Sequence, residues 1–198
     1  MTKLNCPNCK LSAMFCYCTK LKLLKLKKTH VTIIRSYKER TISTNTARLA
    51  QNCIRPLDLY DRGFIDGELN DEILKEDFQP VYLYPDESSV DIFNFKNSSK
   101  PIQLIVPDGS WRQTKKIKRR EPWLNNVPSV FIPGDYLSKF IVRKQKQLGY
   151  ICTIEAINYA LNALEDNFDL SLIEYNLNLL VDTHVKFRPR QLEYHLKN

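Results

Sequence analysis

No apolar run in this 198-residue chain approaches the roughly 20 residues of a membrane-spanning helix. The opening residues, Met1-Thr2-Lys3-Leu4-Asn5-Cys6, hold no apolar signal core. Both absences point away from a membrane and towards a cytoplasmic protein, whose thiols stay reduced and whose cysteines are not expected in disulfides. The chain also lacks a P-loop, a G-x-G-x-x-G behind a strand and an H-E-x-x-H helix, which argues against phosphate-loop, dinucleotide and zincin chemistry. It has no G-x-S-x-G elbow and so no serine nucleophile of that kind. Histidine is scarce: His30, His184 and His195 are all there are, and none sits in a polar loop between a strand and a helix. Proton chemistry therefore falls to carboxylates. There is no internal repeat and no low-complexity tract.

What is present suits one main domain with a small appendage: 43% of residues are hydrophobic and 11% aromatic. Thirty Lys and Arg against 22 Asp and Glu give a net charge of +8, which favours a polyanionic partner such as nucleic acid. The charges are not evenly spread. Acidic residues collect in 58–77, and basic residues in 20–28, 112–120 and 139–146, so two faces of opposite sign are expected.

Four of the six cysteines lie within thirteen residues, as Cys6-x2-Cys9-x6-Cys16-x-Cys18. Four thiolates at this spacing are able to close a tetrahedral structural zinc site; free thiols in a disordered arm, or a redox pair, are the alternatives. Such a site is closed to substrate, and its metal would supply folding energy to a short segment. Residues 20–28 then alternate lysine and leucine, as a basic amphipathic segment or a connector packed on the core by its leucines.

Beyond the connector the chain alternates strands and helices. Val31-Thr32-Ile33-Ile34 reads as a strand, and 43–54 as a helix whose Asn45 and Thr46 either cap it or bind an anion there. Residues 60–79 read as irregular, with a short acidic helix over 69–76. Strands at 81–85, 102–106 and 129–133 each stop at a proline followed by a small or acidic residue, which suggests one edge where loops converge. Helices are expected from about 151 to 164 and from 169 to 185, with Glu155 in the first turn of the former, where a carboxylate suits the helix dipole. The organising stretch is Ile102-Gln103-Leu104-Ile105-Val106-Pro107-Asp108-Gly109-Ser110-Trp111, a buried strand running into a tight loop and then into the basic segment 112–120. Asp108-Gly109 is either a plain turn with Ser110 as an N-cap, or a site at the carboxyl end of a strand, where open α/β sheets bind their ligands.

These motifs, taken in order, resemble the DTW-domain proteins, the tRNA-uridine aminocarboxypropyltransferases. The cysteine cluster resembles that family's N-terminal one. Thr44-Asn45-Thr46-Ala47-Arg48-Leu49 resembles its Asn-Thr segment, and Leu83-Tyr84-Pro85 its second strand end. Asp108-Gly109-Ser110-Trp111 stands at its D-x-T-W motif, with serine for threonine. Val142-Arg143-Lys144 and Thr153-Ile154-Glu155-Ala156 resemble its C-terminal segments. The usual Arg-Pro between the cysteine pairs is missing.

The resemblance implies a SPOUT-like α/β fold: a parallel sheet with helices on both faces and a C-terminal knotted crossover. A zinc-binding segment and connector would occupy 1–28, and the catalytic domain 29–198. It implies transfer of the 3-amino-3-carboxypropyl group of S-adenosylmethionine to N3 of a tRNA uridine, with release of methylthioadenosine. A SPOUT-type RNA methyltransferase and a non-catalytic zinc-containing RNA-binding protein are the alternatives. Asp108 is the candidate base or the partner of the donor's amino group, Ser110 a hydrogen-bonding group on the substrate, and Trp111 a stacking surface. Leu83, Tyr84, Pro85, Val106, Pro107, Asp108, Ile132, Gly149, Thr153 and Glu155 are expected around the donor, with Arg143 on its carboxylate or on a phosphate. Asn45, Thr46, Lys115, Lys116, Lys118, Arg119 and Arg120 are the expected RNA contacts, and Cys6, Cys9, Cys16 and Cys18 the zinc ligands. The partner implied is tRNA; no obligatory protein partner is inferred.

Overall fold

The computed structural model describes residues 5–63, 69–142 and 150–187, except for the side chain of Phe187. Eight strands form: β1 (Leu24–Lys25), β2 (Thr29–Ser36), β3 (Ile54–Arg55), β4 (Leu57–Arg62), β5 (Gln79–Leu83), β6 (Val90–Asp91), β7 (Ile102–Asp108) and β8 (Ser129–Phe131). Four α-helices accompany them: α1 (Thr46–Cys53), α2 (Trp111–Arg120), α3 (Thr153–Leu164) and α4 (Leu170–Phe187). Six of the strands make one sheet in the order β4-β2-β7-β5-β8-β6, and every pairing in it is parallel. All carboxyl ends therefore lie along one edge, so the proline-terminated strands do converge there.

Strand alternation divides the core in two. Val31, Ile33, Leu104 and Val106 face a large apolar cluster shared with α1, α3 and α4. Ile34, Tyr82 and Ile105, one residue out of step, face a smaller cluster with Ile117 of α2, Leu124 and Val127. Helices thus cover both faces of the parallel sheet, which is why its strands read as continuous apolar runs. No described helix is long and apolar enough to cross a membrane.

Two edge strands escaped the sequence reading. β4 begins before and runs into the stretch 60–79 read as irregular, and its Asp58 and Asp61 made it look unlike a strand. Those carboxylates are neutralised across the sheet. Asp58 pairs with His30 at 2.9 Å and Lys75 at 3.0 Å, and Asp61 with Arg35 at 2.7 Å. Part of the acidic cluster is therefore used internally, not as an open face. The two-residue β6 is too short to give a pattern, and the acidic helix expected over 69–76 is only a 3-10 turn, Asp71–Ile73. The chain between Val142 and Tyr150 lies outside the described residues, and with it the course of the expected knot.

Of the two readings of the lysine–leucine segment, the packed connector is the one observed. Leu24 is buried, and β1 pairs with β3. Asn176 of α4 accepts from the Lys22 N–H at 2.9 Å and donates to the Lys22 carbonyl at 2.8 Å. The buried Glu165, at the end of α3, accepts three successive backbone N–H groups, from Lys27, Lys28 and Thr29, at 3.1, 2.9 and 2.7 Å. Removing it in Glu165→Ala leaves those donors without their acceptor at the entry to β2. A loss of about 2–3 kcal/mol is expected from the urea midpoint at unchanged slope, with Glu165→Gln losing less. A loss below about 0.5 kcal/mol would mean water replaces the carboxylate freely.

Candidate active site and metal centre

Asp108 is the last residue of β7, on the same face as Leu104 and Val106, and is 4% exposed. Two helix N-termini close on it. Asn45, the N-cap of α1, accepts from the Arg48 N–H at 2.9 Å and donates through Nδ2 to Asp108 Oδ2 at 2.7 Å. Thr153, the first residue of α3, donates through its hydroxyl to Asp108 Oδ1 at 2.5 Å. Burial pushes the Asp108 carboxyl up; the Thr153 and Asn45 hydrogen bonds oppose this, and the net direction is upward. The result is a carboxylate more basic than usual, held rigidly at the edge where loops converge. Gly109 follows it because the next turn is tight: a Cβ there would lie 3.0 Å from the Gln113 side chain.

Next to this clamp stands an aromatic wall. Trp111 is 47% exposed, so it is not the core residue that a helix-start tryptophan often is. Its ring centroid lies 6.1 Å from that of Tyr84 and 5.4 Å from that of Tyr150. Tyr150 was not singled out from the sequence, since nothing local distinguishes it. Leu83 and Val106 are buried, while Tyr84, Pro107 and Ile132 are half-buried and Pro85 is exposed, all at the same sheet edge. Arg143 and Gly149 lie outside the described residues.

Other expected residues have internal partners. Ser110 caps α2, and its N–H donates to Gln113 Oε1 at 2.6 Å. Glu155 is buried and both its oxygens are occupied: Oε2 accepts from Cys152 N–H at 2.8 Å and Ser138 Oγ at 2.7 Å, Oε1 from Lys139 N–H at 2.6 Å. It is therefore a cap that pins the 138–139 loop to α3, beyond a simple dipole contact. Asn45 and Thr46, expected at RNA, are buried at 2% and 5% exposure. On α2, Arg112, Lys115, Lys116, Arg119 and Arg120 are exposed, but Lys118 departs from them. Its ammonium pairs with Asp86 and bonds Ser129 Oγ at 2.9 Å. Burial alone would raise Asp86, but the bonds from Lys118 and Ser88 outweigh it and hold the carboxyl at about 2.

The four cysteines come together as their spacing suggests. All four sulfurs lie within 4.8 Å of one another, and Cys6 and Cys18 Sγ are 3.9 Å apart. Zn–S bonds of about 2.3 Å in a tetrahedron separate sulfurs by about 3.8 Å, so the donor set fits a structural zinc ion. The first pair sits on a hairpin in which Cys6 N–H donates to the Leu11 carbonyl at 2.7 Å and Lys10 N–H to the Cys6 carbonyl at 2.9 Å. The backbone N–H of Cys9 is the chief cause that pulls the Cys6 thiol down to about 6, towards the thiolate a metal needs. Cys9, Leu11 and Tyr17 are buried in the same apolar cluster as α1, α3 and α4.

The chain matches the DTW domain family over residues 3–192. A Drosophila melanogaster protein named tRNA-uridine aminocarboxypropyltransferase 2 is 26% identical over 171 residues, covering 83% of this chain and 68% of that protein. A Mus musculus protein of the same name is 24% identical over 169 residues, covering 82% of this chain and 57% of that protein. The family match begins before the first cysteine and runs past α4, taking in every element described above, and the chain belongs to the DTW domain family.

Proposed function

We propose that this protein transfers the 3-amino-3-carboxypropyl group of S-adenosylmethionine to N3 of a uridine in tRNA and releases methylthioadenosine. Family membership and the names of the two relatives support this reading. The observation that carries it is the Asp108 clamp: a buried, raised carboxylate beside a half-exposed tryptophan at the carboxyl edge of a parallel sheet. Pure RNA binding has no need of such a group.

The donor brings an electrophilic carbon next to a sulfonium, and geometry decides which of its carbons reacts. The chain's task is to present the uridine edge-on and to take its proton. Asp108 accepts the N3 proton as the N3 lone pair forms the C–N bond and the C–S pair leaves with sulfur. Asn45 and Thr153 position the carboxylate; Trp111, with Tyr84 and Tyr150, offers a face for the uracil or adenine ring. Backbone groups after Leu83, Val106 and Ile132 line the adenosine site, Ser110 reaches a substrate edge, and the exposed cations of α2 meet tRNA phosphates. Cys6, Cys9, Cys16 and Cys18 hold zinc as a structural centre that takes no part in the chemistry.

The test is the mass of unmodified tRNA after incubation with protein and S-adenosylmethionine. The expected result is one uridine heavier by an aminocarboxypropyl group, together with methylthioadenosine. A gain of one methyl makes the protein a methyltransferase. Bound tRNA with intact donor makes it a binding module.

A further inference from the structure

A second site lies beside the Asp108 clamp, between the cysteine hairpin and α1. It is a cavity of about 550 Å³ whose charged lining residues are all cations: Lys10, Arg35, Arg40, Arg48 and Arg55. Two of these are buried, Arg35 and Arg48, each 5% exposed. Arg48 is held by the loop it closes, its Nη1 donating to the Ile42 carbonyl at 2.9 Å and its Nη2 to the Arg40 carbonyl. Arg35 is different. Its Nε and Nη2 donate to Asp61 at 2.7 and 3.0 Å. Its Nη1 is buried with no hydrogen-bond partner among the described residues. A buried guanidinium N–H without a partner is costly, and guanidinium forks match the oxygens of phosphate. Burial and the nearby Arg35 charge pull the Arg48 guanidinium below its ordinary pKa, and the Asp61 carboxylate on Arg35 offsets only part of this.

We propose that this cavity binds a backbone phosphate of the RNA substrate, with Arg35 Nη1 as the fixed donor and Lys10 and Arg55 at its rim. The proposal rests on the tRNA reading above. Arg35 and Asp108 are register partners on neighbouring strands, which lie about 4.8 Å apart. A uridine offered to Asp108 thus has a flanking phosphate within reach of the cavity. Even with Asp61 on Arg35, a lining whose charged groups are all cations exceeds what the single carboxylate of the donor needs, and suits a polyanion that enters from outside. Lys10 and Asn8 come from the cysteine hairpin, which is tied to α1 by Asn52 Nδ2 on the Asn8 carbonyl at 3.4 Å. The metal segment is therefore one wall of the phosphate site.

The test uses the whole metal-loaded protein and Lys10→Gly, Arg55→Ala and their combination. Lys10 sits at φ 63°, where glycine is at ease, and Arg55 is exposed, so neither change disturbs the core. Unmodified tRNA binding is measured against salt, inorganic phosphate binding by calorimetry, and S-adenosylmethionine binding separately. The combined variant is expected to bind tRNA about tenfold more weakly, with a salt slope shallower by about one and phosphate binding lost. Donor binding should be unchanged. Unchanged tRNA affinity and slope overturn the proposal; so does any loss of donor binding, which would seat the donor carboxylate here. The transferase reading fails separately. tRNA held through this cavity but never gaining mass leaves the phosphate site standing, whereas tRNA that gains mass and binds the variants equally well removes the cavity alone.

Discussion

D108N is expected to slow product formation by about 10²–10⁴-fold while leaving tRNA affinity unchanged. The substitution is chosen because the clamp tolerates it. The amide oxygen still accepts from Asn45 Nδ2, and the amide nitrogen faces the Thr153 hydroxyl, which is able to rotate from donor to acceptor. The helix N-termini stay in place, and only the ability to take a proton is lost. The pH profile gives the second readout. Burial raises the Asp108 carboxyl above its ordinary value of about 3.9. As the working base it must be ionised, so the rate falls as pH falls through that raised value, and this acid limb disappears in D108N. A variant with near-normal kcat and a raised KM for the donor would place Asp108 on the donor's amino group instead. Normal kcat and KM together would make the clamp purely structural.

Loss of the zinc proposed for the four cysteines should cost the fold most. Cys16→Ser removes one ligand from a half-buried position and adds no large cavity. Structural zinc sites supply folding energy directly, and a zinc ion on these four cysteines would hold Cys9, Leu11 and Tyr17 in the main apolar cluster. Releasing the segment exposes those side chains and should lower stability by about 3–5 kcal/mol, about 6–20 °C in Tm for a chain of this size. A strong chelator added to the wild-type protein should give the same shift, and elemental analysis should find one zinc ion per chain before and none after. If the protein carries no zinc and Cys16→Ser melts at the wild-type temperature, the cluster is a set of packed thiols. Because the cysteine hairpin forms one wall of the cationic cavity, chelation should also weaken tRNA binding.

The two carboxylates singled out from the sequence show how differently one residue type is used. Asp108 and Glu155 both stand beside helix starts, and their spacing did not separate their roles. In the fold Glu155 has both oxygens occupied by groups within seventeen residues, which makes it a positioning residue for the loop before α3. Asp108 instead draws its partners from 63 residues upstream and 45 downstream. Lys118 and its neighbours on α2 look alike as letters, yet Lys118 alone has Asp86 and Ser129 across from it. Arg35, the residue before the end of β2, was not singled out from the sequence. Only the parallel register puts it opposite Asp61 on one side and Asp108 on the other.

Short-range physics sets whatever a chain can read from its own neighbours. Apolar runs ending at proline make the buried parallel strands, Asn45 and Ser110 start helices, and cysteines thirteen residues from first to last meet around one metal-sized space. The charged edge strand β4, the Asp108 clamp, the aromatic wall with Tyr150 and the cationic cavity come from the order β4-β2-β7-β5-β8-β6. Charges and aromatic rings carry no periodicity that names their partners. Their energy depends on what lies a few ångströms away after burial, and that distance is decided when the sheet order brings remote strand ends together.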